Sequence, residues 1–159
     1  MKKTTYLLDS NIVIRIWREY PNLFSEIEKN QWIDFKVSKG VAGELSQKEY
    51  HKYKGMPVLS DKFLSLLNHV IEDEDYSLEN IFTDKTGLKI KYNPRTNIYI
   101  INENKLSKND FKLIYLCFTH DDIVLVTEDK KILNCGRVII SSERILGLKE
   151  FLEVIKIHN

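Results

Sequence analysis

Four acidic residues, far apart along the chain, stand where apolar runs meet helical patterns: Asp9, Glu44, Asp110 and Asp129. Asp9 directly follows the apolar run Thr4–Leu8, and Asp129 follows the run Ile123–Val126 after two residues. Asp110 falls in the first turn of a strongly apolar helical pattern, and Glu44 lies on the helix that follows a second strand. Brought together, such groups have a narrow chemistry. Carboxylates a few ångströms apart repel by roughly 4 kcal/mol per pair at an effective dielectric near 20. Protonation or a bound cation relieves that repulsion. An all-oxygen donor set suits Mg²⁺ or Mn²⁺. Such an ion activates a water and stabilises charge on a scissile phosphate, and two ions can clamp the attacking and leaving oxygens.

Each acid also has an ordinary reading. Asp9, Ser10 and Asn11 are all good helix caps. Asp110, three residues after Ser107, is close to a capping box, and its charge suits a helix N-terminus. Glu44 reads equally as a solvated helix residue. Thr127 and Asp129 could cap the short helix after them. None of these readings predicts the others, whereas a shared edge of one sheet predicts all four.

The elements that must position these acids alternate. Apolar strands are expected at 4–8, 32–37, 123–126 and 137–140, because each is a short apolar run bounded by polar residues. Helical spacing is expected at 11–17, 22–29, from Ser38 to about 53, from Ser60 or Asp61 through Phe63, Leu66, Leu67 and Val70, at 107–119, at 129–133 and at 142–155. Residues 72–75 are all acidic and read as a solvated connection. Residues 88–92 and 97–101 read as two strands about a turn at 93–95, as a hairpin, or as an irregular insertion. Alternating strands and helices argue for an α/β fold, a three-layer α/β/α sandwich with a mainly parallel central sheet. In such sheets the ligand site lies beyond the carboxyl ends of the strands, which is where Asp9 and Asp129 fall.

Composition bounds the rest. A chain of 159 residues, 43% hydrophobic and 30% charged, suits one folded domain and not a disordered one. A net charge of +1 gives no global basic field, so a nucleic-acid partner would have to be held by a local patch. The two cysteines, Cys117 and Cys135, form no CxxC pair and fit a reducing cytoplasm. The N-terminus is basic and then apolar, but Asp9, Asn11 and Arg15 interrupt it, which argues against a signal peptide. No apolar run approaches the length of a membrane span.

At the four acids the chain resembles a known family. YLLDSNIVIRIW looks like the opening of PIN-domain proteins: an apolar strand, Asp, any residue, Asn, then a helix. VSKGVAGEL resembles the second motif, NDFKLIYLCF the third, and DIVLVTEDKKI the fourth, a hydrophobic strand followed by Thr-x-Asp. Order and coarse spacing match over about the first 50 and last 55 residues, within a single domain spanning 1–159. The segment from about 55 to 105 matches nothing in the family. The best comparison is with VapC-type toxin ribonucleases. The resemblance implies an endoribonuclease that hydrolyses RNA phosphodiester bonds. Asp9, Glu44, Asp110 and Asp129 would bind one or two Mg²⁺ or Mn²⁺ ions, Thr127 would support the site by a hydrogen bond, and Asn11 would orient the loop after Asp9. Lys131 stands where many relatives carry a further acid. The resemblance also implies a small antitoxin partner and homodimers.

Arg15, Arg18, Lys39, Lys130 and Lys131 lie near the expected site and are candidates for phosphate positioning. Lys85, Lys89, Lys91 and Arg95, with Tyr92 and Tyr99, could grip single-stranded RNA, or form a solvated face. Trp17, Trp32, Phe111 and Phe118 read as core, and His120 with Asp121 and Asp122 as a polar loop. The rival readings are an RNA-processing nuclease without antitoxin, a non-catalytic PIN-like module that binds RNA or protein, and a response-regulator-like phosphoacceptor, disfavoured by the order of its Lys and Asp residues.

Overall fold

The structure, a computed structural model, describes residues 3–52, 60–71 and 90–158. The expected runs at 85–89 and 72–75, and the helix end at 53, lie outside these residues. Thr4–Leu8 forms the first strand, β1, with Tyr6, Leu7 and Leu8 all buried. Burial on successive residues means that both faces of the strand are covered, as in the middle of a parallel sheet. Its neighbours are β2 (Ile33–Lys36) and β6 (Ile123–Val126), both parallel to it, and β7 (Ile145–Leu146) pairs parallel with β6. Among the described residues this sheet has four strands in the order β2-β1-β6-β7. Helices α1 (Ser10–Glu19), α2 (Leu23–Glu28), α3 (Lys39–Lys52), α4 (Asp61–Leu66), α5 (Lys108–Thr119), α6 (Lys130–Gly136) and α7 (Leu148–His158) complete the expected three-layer α/β/α sandwich. Ile12, Val13 and Ile16 bury one stripe of α1, while α5 buries six consecutive-turn residues from Phe111 to Cys117. Both thiols are buried and unbonded. Among the described residues no helix is long and apolar enough to cross a membrane.

The middle of the chain folds back as a second sheet, β3 (Ile90–Asn93), β4 (Ile98–Ile101) and β5 (Asn104–Ser107), antiparallel throughout. Asn102 and Glu103 both take positive φ, 45° and 76°, in the two-residue turn between β4 and β5. That is the backbone a tight hairpin needs, and its usual sequence is Asn-Gly. Tyr99, Ile101 and Leu106 face inward and belong to the main core. This sheet ends at Ser107, whose hydroxyl accepts from the Asp110 amide at 3.1 Å and so starts α5.

Several expectations are corrected. Residues 137–139 form a turn, not a strand, with the amides of Ile139 and Ile140 both donating to the Gly136 carbonyl. A short apolar run cannot be told from a buried turn by periodicity. The last strand is Ile145–Leu146 instead, preceded by a 3-10 turn at Ser142–Arg144, and the last helix begins only at Leu148. There the Glu150 carboxylate reaches back to the Gly147 amide at 2.5 Å, the reciprocal half of a capping box. Trp32 and Leu67, expected inside, are 37% and 45% exposed. Leu67 lies in the 3-10 turn Leu67–His69, whose tighter winding takes it off the buried stripe of α4.

Candidate active site

Asp9 is one residue beyond β1, and Thr127 one residue beyond β6. Leu8 and Val126 are partners across those two strands, so the next residues leave the sheet side by side. The Asp9 amide extends the ladder to the Val126 carbonyl at 3.1 Å. The side chains then close the gap: the Thr127 hydroxyl donates to Asp9 Oδ2 at 2.8 Å, and Asp9 Oδ1 accepts from the Ser10 amide at 2.8 Å. Asp9 is 5% exposed and Thr127 fully buried. The Asp129 amide donates to the same Thr127 oxygen at 3.1 Å, and Asp129 Oδ1 caps α6 by accepting from the amides of Lys131 and Ile132 at 2.8 and 3.2 Å. One threonine therefore couples two acids. These bonds set the Thr127 hydroxyl between the Asp9 carboxylate and the Asp129 amide.

Asp110 arrives from the second sheet through Ser107, in the first turn of α5. Glu44 arrives on α3, half-buried. Gly40, in the first turn of α3, lies against Asn109, the neighbour of Asp110. A Cβ at position 40 would sit 2.6 Å from Asn109 Oδ1 and 3.2 Å from its Cβ. Only a residue without a side chain allows the two helix starts this approach without displacing Asn109.

The electrostatics link all four acids. Burial raises the Asp9 carboxyl above its ordinary value; its bonds from Thr127 and Ser10 pull it down, and the charges of Glu44 and Asp129 push it up again. Asp110 is raised to about 6, first by burial and next by the Asp9 charge, against a hydrogen bond from Ser107, with Asp129 and Glu44 adding to the rise. Asp9, Asp110 and Asp129 all sit at helix starts, where the helix dipole tolerates negative charge. Asp9 and Asp129 are themselves the caps of α1 and α6, and Asp110 follows the cap of α5. Among the described residues, no set of three His, Cys, Asp or Glu already has metal-ligating spacing. No lysine or arginine there forms a salt bridge with any of the four acids.

The raised Asp110 carboxyl sets a pH dependence. The folded protein holds this proton more tightly than the unfolded chain, where Asp ionises near 3.8. Stability from this group therefore falls as pH rises between about 3.8 and about 6, and the penalty is complete above that window. Asp110→Asn should stabilise the metal-free protein by about 1 kcal/mol at pH 7.5, after allowance for a partly solvated carboxyl, and by nothing at pH 3.5. Urea unfolding at the two pH values reads this difference. A gain confined to the acidic side would reverse the sign of the argument.

The other expected residues divide. Asn11 is exposed and its side chain makes no hydrogen bond among the described residues; the Ser10 amide, not Asn11, engages Asp9. Arg15 is committed to Glu19 at 3.1 Å and Glu128 at 2.9 Å, so its charge is balanced within the fold. Arg18, Lys39, Lys130 and Lys131 are exposed and without ion pairs among the described residues, which leaves them able to meet an anion. His120 caps the end of α5 through Thr119 and the Leu116 carbonyl and lies in a polar loop, as expected. Sequence reasoning named Ser10 only as a cap and did not single out Gly40, Asn109 or Glu128. Glu128, besides holding Arg15, accepts from the Leu148 amide at 3.3 Å and ties α7 to the rim of the site. Its only sequence signal was its place between Thr127 and Asp129.

No family profile and no curated protein matches this chain. Among solved structures it is similar to the crystal structure of PAE2754 from Pyrobaculum aerophilum, with a TM-score of 0.58 and 16% identity over 98% of each chain. At that identity the likeness establishes the fold.

Proposed function

We propose that this chain is a PIN-like endoribonuclease that hydrolyses RNA phosphodiester bonds with Mg²⁺ or Mn²⁺. The observation that carries the reading is the geometry at the ends of β1 and β6, where the Thr127 hydroxyl holds the Asp9 carboxylate and accepts from the Asp129 amide; the Asp110 carboxyl is raised first by burial and then by the Asp9 charge, with smaller contributions from Asp129 and Glu44. Burial together with neighbouring negative charge, with no salt bridge to these acids among the described residues, suits a site built to receive a divalent cation. Every donor is a carboxylate oxygen, which fits Mg²⁺ or Mn²⁺ better than softer metals. Asp9, Glu44, Asp110 and Asp129 would hold the ion, which would supply charge neutralisation at the scissile phosphate and a more acidic water. Thr127 and Ser10 fix the Asp9 carboxylate in one orientation. The carboxylates would hold the ion and help take the proton from the attacking water. Arg18, Lys39, Lys130 and Lys131 position the strand through its phosphates. By the motif resemblance, the biological setting is a cytoplasmic toxin–antitoxin pair, with a small antitoxin and a homodimeric toxin.

The test is cleavage of labelled single-stranded RNA of mixed sequence by the purified chain. Cleavage is expected with Mg²⁺ or Mn²⁺ and absent in EDTA. At ten times its dissociation constant either ion should also add about 1.4 kcal/mol of stability, visible as a higher melting midpoint. Activity unaffected by EDTA, or no cleavage and no midpoint shift with either ion, would remove the proposal.

A further inference from the structure

The basic, aromatic segment of the second sheet has no part in the metal site, yet it runs directly into Asp110. Residues 90–108 carry four cations, Lys91, Arg95, Lys105 and Lys108, against one acid, Glu103, in a chain whose net charge is only +1. None of the four cations has an ion pair among the described residues.

Three rings stack through this sheet. Tyr92 lies on Tyr99 with centroids 4.5 Å apart, and Tyr99 on Phe111 with centroids 4.3 Å apart. Phe111 is fully buried and follows Asp110, Tyr99 is 4% exposed, and Tyr92 is 43% exposed. Tyr99, one of the two rings read as able to grip RNA or to lie on a solvated face, is therefore interior, and the column ends in solvent at Tyr92. That last ring is held in place: its hydroxyl donates to Asn97 Oδ1 at 2.5 Å, and the Asn97 carbonyl accepts from the Lys108 amide at 3.0 Å. The turn carrying Arg95 is thus joined to the start of α5, two residues before Asp110. Arg95 and Lys108 are both exposed there.

Resting on the nuclease reading above, we propose that Tyr92 is a stacking platform for one unpaired base of a single-stranded RNA, with Arg95 and Lys108 engaging the neighbouring phosphates. An immobilised aromatic ring with a solvent-exposed surface, bordered by unpaired cations, is the chemistry that holds single strands without reading their sequence. A duplex keeps its bases stacked inside and offers the ring nothing. The substrate is therefore an unpaired strand, held on the turn that is bonded to the start of α5.

The test uses the full chain carrying Asp9→Asn, to prevent cleavage, and fluorescence anisotropy with a labelled oligouridine. Adding Tyr92→Ala should weaken binding about five- to hundredfold, the range for loss of one stacked base. Tyr92→Phe, which keeps the ring, should stay within about threefold of the parent and shows that the sheet still folds. Arg95→Gln with Lys108→Gln should weaken binding and flatten its salt dependence. An oligomer with abasic sugars should bind the parent and Tyr92→Ala equally. RNA cleavage by the wild-type chain combined with unchanged binding by Tyr92→Ala would overturn this proposal and leave the nuclease reading standing. Absence of both RNA binding and cleavage would overturn the two together.

Discussion

Asp9→Asn should lower metal-dependent RNA cleavage by about a thousandfold or more while the protein remains folded. The scale is that of removing one directly engaged electrostatic stabiliser from an active site, and on the proposed reading the lost group would also hold the ion. The fold should survive because the amide can reproduce the local bonds. Its oxygen can accept from the Ser10 amide at the position of Oδ1, and its NH₂ can donate to the Thr127 oxygen at the position of Oδ2. Asn also removes a charge that burial and two neighbouring carboxylates already disfavour. The metal-free melting midpoint at pH 7 should therefore equal or exceed that of the parent. Single-turnover cleavage and a thermal melt on the same preparation check both halves. Cleavage at the parental rate in saturating Mg²⁺ would take Asp9 out of the mechanism, whereas a lower midpoint would mean that Asp9 is first a structural cap.

Arg144→Met should cost about 3 kcal/mol of stability and lower the melting midpoint by roughly 6–12 °C. Arg144 ends the 3-10 turn before β7, and its Nη2 donates to three carbonyls: Cys117 at 2.5 Å, His120 at 2.7 Å and Ile123 at 2.8 Å. Two protons serve three acceptors, so one is shared. Two of the acceptors lie at the C-terminal end of α5, where the helix leaves carbonyls unpaired and where the dipole favours a cation. The third opens β6. A single guanidinium thus joins α5, the loop after it, β6 and the approach to β7. Methionine matches the length of the stem but leaves those oxygens without their donor. Arg144→Lys should recover less than half of the loss, because a point charge cannot reproduce the planar group. Since Arg144 does not touch the acids, cleavage per folded molecule should be unchanged at low temperature. A midpoint within 2 °C of the parent would mean that water replaces the guanidinium at all three carbonyls.

The strands that carry Asp9 and Asp129 were legible because Leu7, Leu8, Leu125 and Val126 are buried on both faces and spell unbroken apolar runs. The cap at Ser107 and the buried length of α5 were equally plain, since hydroxyl chemistry and apolar spacing are local. The hairpin at residues 98–107 was less so: its turn is Asn-Glu, and only the hydrogen-bonded register forces Glu103 into a conformation usually taken by glycine. The last strand was misplaced for a related reason. Both 137–140 and 145–146 are short apolar pairs or runs, and which of them meets β6 depends on packing against residues far away in sequence.

By itself, then, the sequence determined the α/β alternation, the ends of β1 and β6 and which acids stand at them, because these follow from the periodicity and polarity of neighbouring residues. Tertiary structure alone decided that Thr127 bonds Asp9 and Asp129 together, that Arg15 is spent on Glu19 and Glu128, that Gly40 admits α3 to the side of Asn109, and that Tyr92 rather than Tyr99 meets solvent. Each of these is a contact between segments separated by many residues. Its energy depends on distance and burial, which no local pattern encodes.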